Sequence, residues 1–306
     1  MAVTAGHEAN PTRNLDATDF VRIRASTDES KSTVVEWQGQ VLSYLPGERP
    51  QVTFKVKGMS VTRARKLENG SYDLMTREIQ LYLDPLTEEV LHVWHNPWSD
   101  QKVIGITLII SVELAFTSML VVHVANNPVY QNLPATSTFE ARAQPGGSYT
   151  CRITIPLAYP NPLNSAADQG PPKYHYAGPQ ALYSAIESFS FSFPAAELDS
   201  SVQSIPSMQV FWTRTSPLLP FMATPATNVM LLTVANGAKV EGGWEKLDPV
   251  LRNMIETKLP AYKDAPTTRD RPGGGVSSWS YFARPEVLQA YKEGATFPLP
   301  DHPVDP

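Results

Sequence analysis

The sequence predicts a mainly β protein whose strands form an antiparallel barrel or a strongly curved sheet, with a few peripheral helices. Apolar and polar residues alternate through consecutive segments between residues 33 and 93, as they do in half-buried strands. Short turn sequences join these segments, which is typical of an antiparallel meander. The 28 prolines and 17 glycines favour many turns and few long helices. We expect a single domain over residues 16–306, after a disordered N-terminus over residues 1–15.

A short helix or turn is predicted at the start of this domain, with Asp16 or Thr18 as the N-cap. Strand character follows. Between residues 33 and 46, apolar or small residues occupy one face of the predicted strand, and glutamate and glutamine occupy the other. The apolar face consists of Val35, Trp37, Gly39 and Val41.

Two further strands are predicted before a turn at Asp84-Pro85. The first alternates apolar residues with Thr53, Lys55 and Lys57. The second follows the hairpin signal Asn69-Gly70. One of its faces carries Met75, Arg77, Ile79, Leu81 and Leu83. A fourth strand ends at Asn96-Pro97. Together these strands predict a lipocalin-like barrel or curved sheet.

Residues 103–124 are long and apolar enough to cross a membrane, and they carry a single charge, Glu113. Their many β-branched residues and the central position of that charge instead favour a buried hairpin or a long core element. The second half of the chain contains a proline-rich loop over residues 157–180. It also contains a helix near residues 249–259, which is predicted to begin at Pro249 and to pack against the sheet.

Composition excludes several classes of function. The net charge of −5 and the absence of a basic run argue against a nucleic-acid partner. The single cysteine, Cys151, cannot form an internal disulfide, and the chain start shows no secretory signal, so we expect a cytoplasmic protein. Cys151 is interpreted as a small buried hydrophobe. We expect no stable membrane insertion, and a homodimer is compatible with the sequence.

Standard cofactor and catalytic motifs are not found in the sequence. It contains no nucleotide-binding glycine loop after a strand and no nucleophile elbow. His92 and His95 are three residues apart on a predicted strand, so they point to opposite faces and cannot bind one metal ion. We therefore expect neither a cofactor nor a metal.

Three residues are candidates for catalysis. Arg77 lies on an apolar face, where an arginine needs a polar partner. It could stabilise a developing oxyanion, or it could form a structural ion pair with Glu36 or Glu78. His123, in the sequence VVHVANNPVY, could exchange protons in a pocket, or it could be a core histidine bonded to a carbonyl. Tyr82 is a second candidate for proton transfer.

Aromatic residues near strand ends often line pockets for flat apolar ligands. They are equally common as ordinary core residues. The candidate substrate-binding residues are Trp37, Trp94, Trp98, Trp212, Phe221, Trp279 and Tyr281.

Four segments resemble, in order, the blocks of a family of uncharacterised fungal and bacterial proteins, a domain of unknown function. They are EWQGQVLSYLPGERPQVTFKVKGMSVTRA, YDLMTREIQLYLDPLTEEVLHVWHNP, VVHVANNPV and APTTRDRPGGGVSSWSYFARPE. The resemblance covers roughly residues 15–295. Fungal hetero-Diels–Alderases of tropolone-sesquiterpenoid biosynthesis are similar, and they join a quinone-methide-like diene to a humulene-type terpene. The resemblance assigns no catalytic residues.

The chain departs from the family pattern at residues 104–120, which separate two blocks that the family places almost side by side. This segment is a true insertion, a membrane segment or the product of an unspliced intron in the gene model. These alternatives leave the strand register between Trp98 and Val121 open.

Two functions follow from these observations. The first is a cofactor-independent enzyme of fungal secondary metabolism that acts on small apolar aromatic or terpenoid substrates, as a hetero-Diels–Alderase does. Such reactions depend mainly on proximity and orientation, with one or two polar groups that polarise a carbonyl. The second is a non-catalytic, lipocalin-like carrier of a small hydrophobic molecule. An interaction scaffold is less well supported, since no exposed apolar stripe is visible.

Overall fold

The computed structural model describes residues 12–68, 70, 72–91, 93–98, 102–104, 108–116, 122–123, 139–160, 182–219, 222, 228–267 and 284–292. Its strands are β1 (Thr12–Leu15), β2 (Thr33–Tyr44), β3 (Gln51–Lys66), β4 (Tyr72–Leu83), β5 (Val93–His95), β6 (Lys102–Ile104), β7 (Leu108–Phe116), β8 (Val122–His123), β9 (Phe139–Gln144), β10 (Ser148–Pro160), β11 (Leu182–Pro194), β12 (Gln209–Pro217) and β13 (Met230–Lys239). Its helices are α1 (Ala17–Arg24), α2 (Ala195–Asp199), α3 (Pro249–Lys258) and α4 (Pro285–Lys292), with short 3-10 turns at Gly243–Lys246 and Pro260–Lys263.

Eleven strands form one antiparallel sheet in the order β1-β9-β10-β11-β12-β13-β2-β3-β4-β7-β8, and β5 pairs with β6 in a separate hairpin. Among the described residues the edge strands β1 and β8 do not pair with each other, so the sheet stays open. It curls into a half-barrel. The prediction of a mainly β protein with a strongly curved antiparallel sheet is confirmed.

The predicted alternation of the strands defines two faces of this sheet. Trp37, Gly58 and Gln80 lie opposite one another on β2, β3 and β4, and we call their side the inner face. Lys57 and Leu81 are paired neighbours on the other side, the outer face. Residues two apart along a strand share a face, so these registers assign the other residues of the three strands.

Packing around α1 shows the direction of the curl. One buried cluster joins Ala64 of β3 to Phe191 of β11, and α1 contributes Phe20, whose ring lies 5.9 Å from that of Phe191. In a flat sheet β3 and β11 would be roughly 19 Å apart, which is four strand spacings. Because both pack on one helix through the inner face, this face is concave.

The sequence of α1 explains why a helix forms here. The Asp16 carboxylate accepts a hydrogen bond from the Asp19 backbone N–H at 2.8 Å, and the Asp19 carboxylate accepts one from the Asp16 backbone N–H at 3.5 Å, so the two form a capping box. At the other end, Lys239 of β13 donates to the carbonyls of Arg22 and Ala25. A cation at the C-terminus complements the helix dipole and satisfies carbonyls that have no partner within the helix.

A second buried cluster closes the opposite end of the inner face. It contains Phe54, Val56 and Tyr82, together with Trp94 from the β5–β6 hairpin and Leu218 from the segment after β12. The inner face therefore has an apolar cluster at each end, and its middle lies between them.

Helix α3 covers the outer face of β3 and β4. Leu251 and Ile255 pack there against Ile79 and Leu81 in a third cluster. Asp248 caps the helix and pairs with Lys57 of β3 at 2.7 Å. The predicted helix, and its packing against the sheet, are confirmed.

In two segments the observed secondary structure adds to or differs from what the sequence predicted. Residues Thr12–Leu15 were expected to be disordered, but they form edge strand β1, where Leu15 is buried in the α1 cluster. Residues Leu108–Phe116 of the long apolar segment form β7, which pairs with β4 from Tyr72 to Gln80. No helix in the described part of the chain is long and apolar enough to cross a membrane.

Candidate functional site

The middle of the inner face is polar, and β4 supplies three of its side chains. Glu78, Gln80 and Tyr82 alternate along this strand and therefore share a side. In the register, Gln80 lies opposite Gly58 of β3, so all three belong to the inner face. The opposite face of the same stretch is apolar and lies beneath α3. Both faces of β4 are covered, and its polar face is the one that points into the half-barrel.

Trp37 lies next to this polar row. Its indole ring covers Gly58, and its Nε1–H donates a hydrogen bond to Gln80 Oε1 at 3.2 Å. The absence of a side chain at Gly58 permits this arrangement, because a Cβ there would overlap the indole ring. Three neighbouring strands therefore fix one aromatic ring and one amide side by side on the inner face.

Glu78 is the chemically unusual member of the row. Burial raises the pKa of its carboxyl group to about 7, although the positive charge of Arg24 opposes this rise. Among the described residues no hydrogen bond contributes to this pKa. A carboxylic acid that titrates near neutral pH can both donate and accept a proton, as general acids and bases must.

Arg24, the last residue of α1, reaches the inner face beside Glu78. Its Nη2 donates to Ser60 Oγ at 2.8 Å, whereas its buried Nη1 has no hydrogen-bond partner in the described part of the chain. Burial lowers the pKa of Arg24, and the charge of Glu78 opposes this effect. The two groups interact electrostatically without forming a direct ion pair.

A second charged group projects from the other side of the half-barrel. Arg214 of β12 pairs with Glu187 of β11 at 2.6 Å and donates to Tyr183 Oη at 3.4 Å. The charges of Arg214 and Glu187 both act on the carboxyl group of Glu78. Three strands separate β4 from β12 in the sheet order, so this interaction crosses the concave space.

An aromatic wall lines the same side, formed by Phe191, Phe189 and Trp212. The ring of Phe189 stacks on both others, with centroids 6.2 Å from Phe191 and 6.3 Å from Trp212. Trp212 Nε1 is buried, and within the described residues it has no hydrogen-bond partner. A polar indole group in such a position is available to an acceptor on a ligand.

Tyr82 lies where the polar middle meets the apolar end cluster. Its ring contacts Phe54, with centroids 5.0 Å apart. Burial raises the pKa of its hydroxyl group to about 12, and a hydrogen bond with Gln80 opposes this shift. The hydroxyl group therefore stays protonated at neutral pH, so it can donate a hydrogen bond but cannot act as a base.

Three of the residues selected from the sequence lie on the inner face, namely Trp37, Tyr82 and Trp212. Two others, Trp94 and Trp98, pack edge to face with centroids 6.1 Å apart. They border a cavity of about 440 Å³ beyond the apolar end cluster, beside Asp84 and His95. The structure therefore separates the selected tryptophans into an inner-face pair and an end pair.

Arg77 lies on the outer face, away from Tyr82. Its Nη1 donates to the carbonyl oxygens of Ala261 at 2.7 Å and Asp264 at 2.8 Å. It holds the turn after α3 against the sheet and does not face the concave space. This position does not support the predicted role in stabilising an oxyanion, and it also differs from the predicted ion pair with Glu36 or Glu78.

Four selected residues cannot be placed in the site. His123 pairs through its backbone with Ala115, but its side chain lies outside the described residues. Phe221, Trp279 and Tyr281 also lie outside them. Their roles in binding or catalysis stay predictions.

Sequence reasoning missed Arg24, Glu78, Arg214 and Glu187. The available signal was the second face of β4, where polar residues alternate with the apolar set. Polar positions of a strand normally point to solvent, so Glu78 was considered only as a possible ion-pair partner of Arg77. Only the curl of the sheet shows that these positions face inward.

Other features carry less chemistry. A groove of about 600 Å³ on the outer face is lined by a mixture of apolar and polar residues. Its charged side chains already have partners, because Lys57 pairs with Asp248 and Glu36 accepts from the Asp248 backbone N–H. No group of three or more residues able to hold a metal ion is found in the described part of the chain. Cys151 is fully buried, which raises the pKa of its thiol to about 12, so it is a core residue as predicted.

Comparisons with known proteins identify one family. Residues 30–286 match a family model whose description is "Protein of unknown function (DUF1838)". No curated protein matches the chain.

Proposed function

We propose that this chain, which belongs to the DUF1838 family of proteins of unknown function, is an enzyme that binds a small, largely apolar, ring-bearing substrate in the concave space of its half-barrel. Glu78 would transfer a proton to or from an oxygen-bearing group of this substrate. The observation that carries the proposal is the partly buried carboxyl group of Glu78, which lies among aromatic and polar side chains, has no hydrogen-bond partner among the described residues and has a pKa raised to about 7.

The surroundings of Glu78 support a catalytic role more than a structural one. A buried carboxyl group that stabilises a fold is normally paired or hydrogen-bonded, which lowers its pKa. Glu187 has such a partner, because it forms an ion pair with Arg214. Glu78 has neither kind of partner among the described residues, and its pKa is raised instead. Perturbed titration of this kind is characteristic of functional sites.

The neighbouring side chains have complementary roles in this proposal. Trp37 and the aromatic wall would hold the ring system of the substrate, which limits its orientation and brings the reacting atoms together. Tyr82 stays protonated and would donate a hydrogen bond to developing negative charge on a substrate oxygen. Glu78, when neutral, would protonate that oxygen, and when ionised it would accept a proton.

A narrower proposal comes from the resemblance to fungal hetero-Diels–Alderases. The reaction would be the addition of a quinone-methide-like diene to a humulene-type terpene in secondary metabolism, without a cofactor. Cycloaddition itself requires no covalent catalyst, so orientation on the aromatic wall would supply most of the rate enhancement. Hydrogen bonding of the diene carbonyl to neutral Glu78 or to Tyr82 would lower the barrier further.

Glu78→Gln tests the proposal, because glutamine keeps the shape of the side chain but cannot transfer a proton. The reactants are a hydroxymethyl-phenol precursor of the quinone methide and a humulene-type terpene. The precursor must lose water to form the diene: Glu78 would protonate the leaving hydroxyl group, and the phenolic proton is released to solvent. The product is quantified by mass spectrometry. We expect turnover to fall roughly 10²-fold or more, the usual contribution of a general acid or base. Glu256→Gln, an exposed substitution on α3, is the matched control and should turn over normally.

Binding measured in parallel separates catalysis from transport. N-phenyl-1-naphthylamine is a neutral fluorescent ring compound, and it should bind wild type and Glu78→Gln equally. Equal turnover by wild type and Glu78→Gln would contradict proton transfer by Glu78. Tight binding of both reactants by wild type without any product would favour the alternative, a carrier of a small hydrophobic molecule.

A further inference from the structure

Two arginines of α1 have very different surroundings. Arg22 donates to the carbonyl oxygens of Val202, Leu198, Glu197 and Ser200, at distances between 2.7 and 3.0 Å. Among the described residues, Arg24 donates to one acceptor, the neutral Ser60 Oγ. Arg22 is therefore explained by the fold, since it ties α1 to the segment around α2, whereas Arg24 is not.

Leaving the hydrogen-bond donors of Arg24 without acceptors is energetically costly. A guanidinium group carries five N–H donors, and the part of the chain that the structure describes supplies one acceptor for them. Nη1 is buried without a partner, and unmade hydrogen bonds of buried charged groups are unfavourable. Proteins retain such a group where a ligand completes its hydrogen bonds.

The local charges favour an anion over a neutral acceptor. Glu78 is the carboxyl group that acts on Arg24, yet it is half protonated near pH 7 and makes no direct ion pair with it. When Glu78 is protonated, Arg24 keeps its positive charge, and among the described residues no other carboxylate acts on it.

We infer that Nη1 of Arg24 binds an ionised oxygen of the substrate, as in a carboxylate, a phenolate or an enolate. This inference rests on the proposed function and names the class of its substrate, an acidic ring compound with an apolar body. Arg24 is the binding residue for the anionic oxygen, and Ser60 holds the guanidinium group in place through Nη2. Trp37, on the strand beside Ser60, lies where the apolar rings of such a ligand would extend.

Two dyes with the same ring system separate the anion site from the apolar surface. 8-Anilinonaphthalene-1-sulfonate carries a permanent negative charge, and N-phenyl-1-naphthylamine is its counterpart without the sulfonate. Dissociation constants come from dye fluorescence with excitation of the protein tryptophans. The variants are Arg24→Gln, Arg24→Lys and the control Arg152→Gln, which removes an exposed arginine of β10 on the outer face.

We expect Arg24→Gln to raise the dissociation constant of the sulfonate dye at least 10-fold and to change that of the neutral dye less than twofold. Arg24→Lys should recover part of the affinity for the sulfonate dye, because it keeps the charge but loses the planar fork of donors. Arg152→Gln should leave both dyes unchanged. Circular dichroism and thermal melting show whether each variant is folded, and Arg24→Lys serves as the second variant if Arg24→Gln does not fold.

The possible failures are distinguishable. If both dyes bind wild type and neither responds to Arg24→Gln or Arg24→Lys, the anion site is wrong and the apolar site stands. An equal loss of affinity for both dyes in folded Arg24→Gln would also overturn the inference, because it would show that Arg24 has a structural role. If the neutral dye does not bind wild type at all, the proposed function fails first.

Discussion

The two faces of β4 show how the same strand can hold structure on one side and chemistry on the other. On the outer face, Ile79 and Leu81 are fully buried beneath α3, and Arg77 has carbonyl partners for its donors. On the inner face, Glu78 has no hydrogen-bonded partner among the described residues, and neighbouring Arg24 has a buried donor without one. Unsatisfied nitrogens also occur on the outer face, at Arg63 and Arg65 of β3, but each of these side chains is paired with a carboxylate. What distinguishes the inner face is that a carboxyl group and a guanidinium group lie side by side without forming an ion pair.

The largest expected change in stability comes from a substitution on the outer face. Leu81→Ala removes a side chain with no exposed surface and leaves a cavity beneath α3, so we expect a loss of about 2–5 kcal/mol in unfolding free energy. Binding of N-phenyl-1-naphthylamine should not change in the folded protein. Urea denaturation measures the first quantity, and Leu86→Ala, at a side chain that is 91% exposed, is the control. Surface substitutions usually change the unfolding free energy by no more than about 0.5 kcal/mol. A loss that small for Leu81→Ala would contradict the packing of α3 on β4.

Gly58→Ala should disturb the inner face through Trp37. The added Cβ overlaps the indole ring, which must move and release its hydrogen bond to Gln80. Overpacking of this kind costs about 1–3 kcal/mol. The double variant Gly58→Ala/Trp37→Phe should be more stable than the sum of the single effects predicts, because the smaller ring leaves room for the methyl group. Additive effects in denaturation experiments would show that Trp37 does not lie over Gly58.

The raised pKa of Glu78 predicts a dependence of stability on pH. Its pKa is about 7 in the folded protein and near 4.5 in the unfolded chain, so between these values the folded protein binds more protons. Stability must then fall as pH rises from about 4.5 to 7, and we expect this group to contribute a loss of up to about 3 kcal/mol. The measurement is the difference in unfolding free energy between wild type and Glu78→Gln across this range. A constant difference would mean that Glu78 titrates normally.

Lys239 affects the stability of the protein over a higher range of pH. Burial lowers the pKa of its amine to about 7, from 10.5 in the unfolded chain. The unfolded chain binds more protons between those values, so this group raises stability as pH increases above 7. Measurements between pH 4.5 and 7 therefore isolate Glu78 from Lys239.

The smallest expected effect is the difference in stability between variants of Arg77 on the outer face and Arg24 on the inner face. Arg77→Gln removes hydrogen bonds to the carbonyls of Ala261 and Asp264, so we expect a loss of about 0.5–1.5 kcal/mol in unfolding free energy. Arg24→Gln removes a desolvated charge whose one hydrogen bond among the described residues is to Ser60, so it should cost less, or even stabilise the fold. Equilibrium denaturation of both variants measures the difference. A larger loss for Arg24→Gln than for Arg77→Gln would reverse the assignment of structural and functional roles.

Much of the fold was predictable from local sequence. The alternation of Val35, Trp37 and Val41 placed these residues correctly on one face of β2, and Asp248-Pro249 located the start of α3. These predictions succeed because strand alternation and helix capping depend on residues close together in the chain. The candidate site was less accessible. Trp37, Tyr82 and Trp212 were selected as aromatic or phenolic residues on strands, but Glu78 and Arg24 are ordinary charged residues until their surroundings are known.

The sequence alone therefore determined β2, β3 and β4, the two faces of each, and the start of the main helix, α3. Tertiary structure alone decided which face of β4 is the interior, because both faces are covered and the alternation is the same in either orientation. It also decided the chemistry of Glu78, since its pKa depends on burial and on charges from α1, β11 and β12. These elements are distant in the chain and meet only when the sheet curls. The pKa of a carboxyl group reflects the charges and solvent within a few ångströms, and no local pattern of residues encodes them.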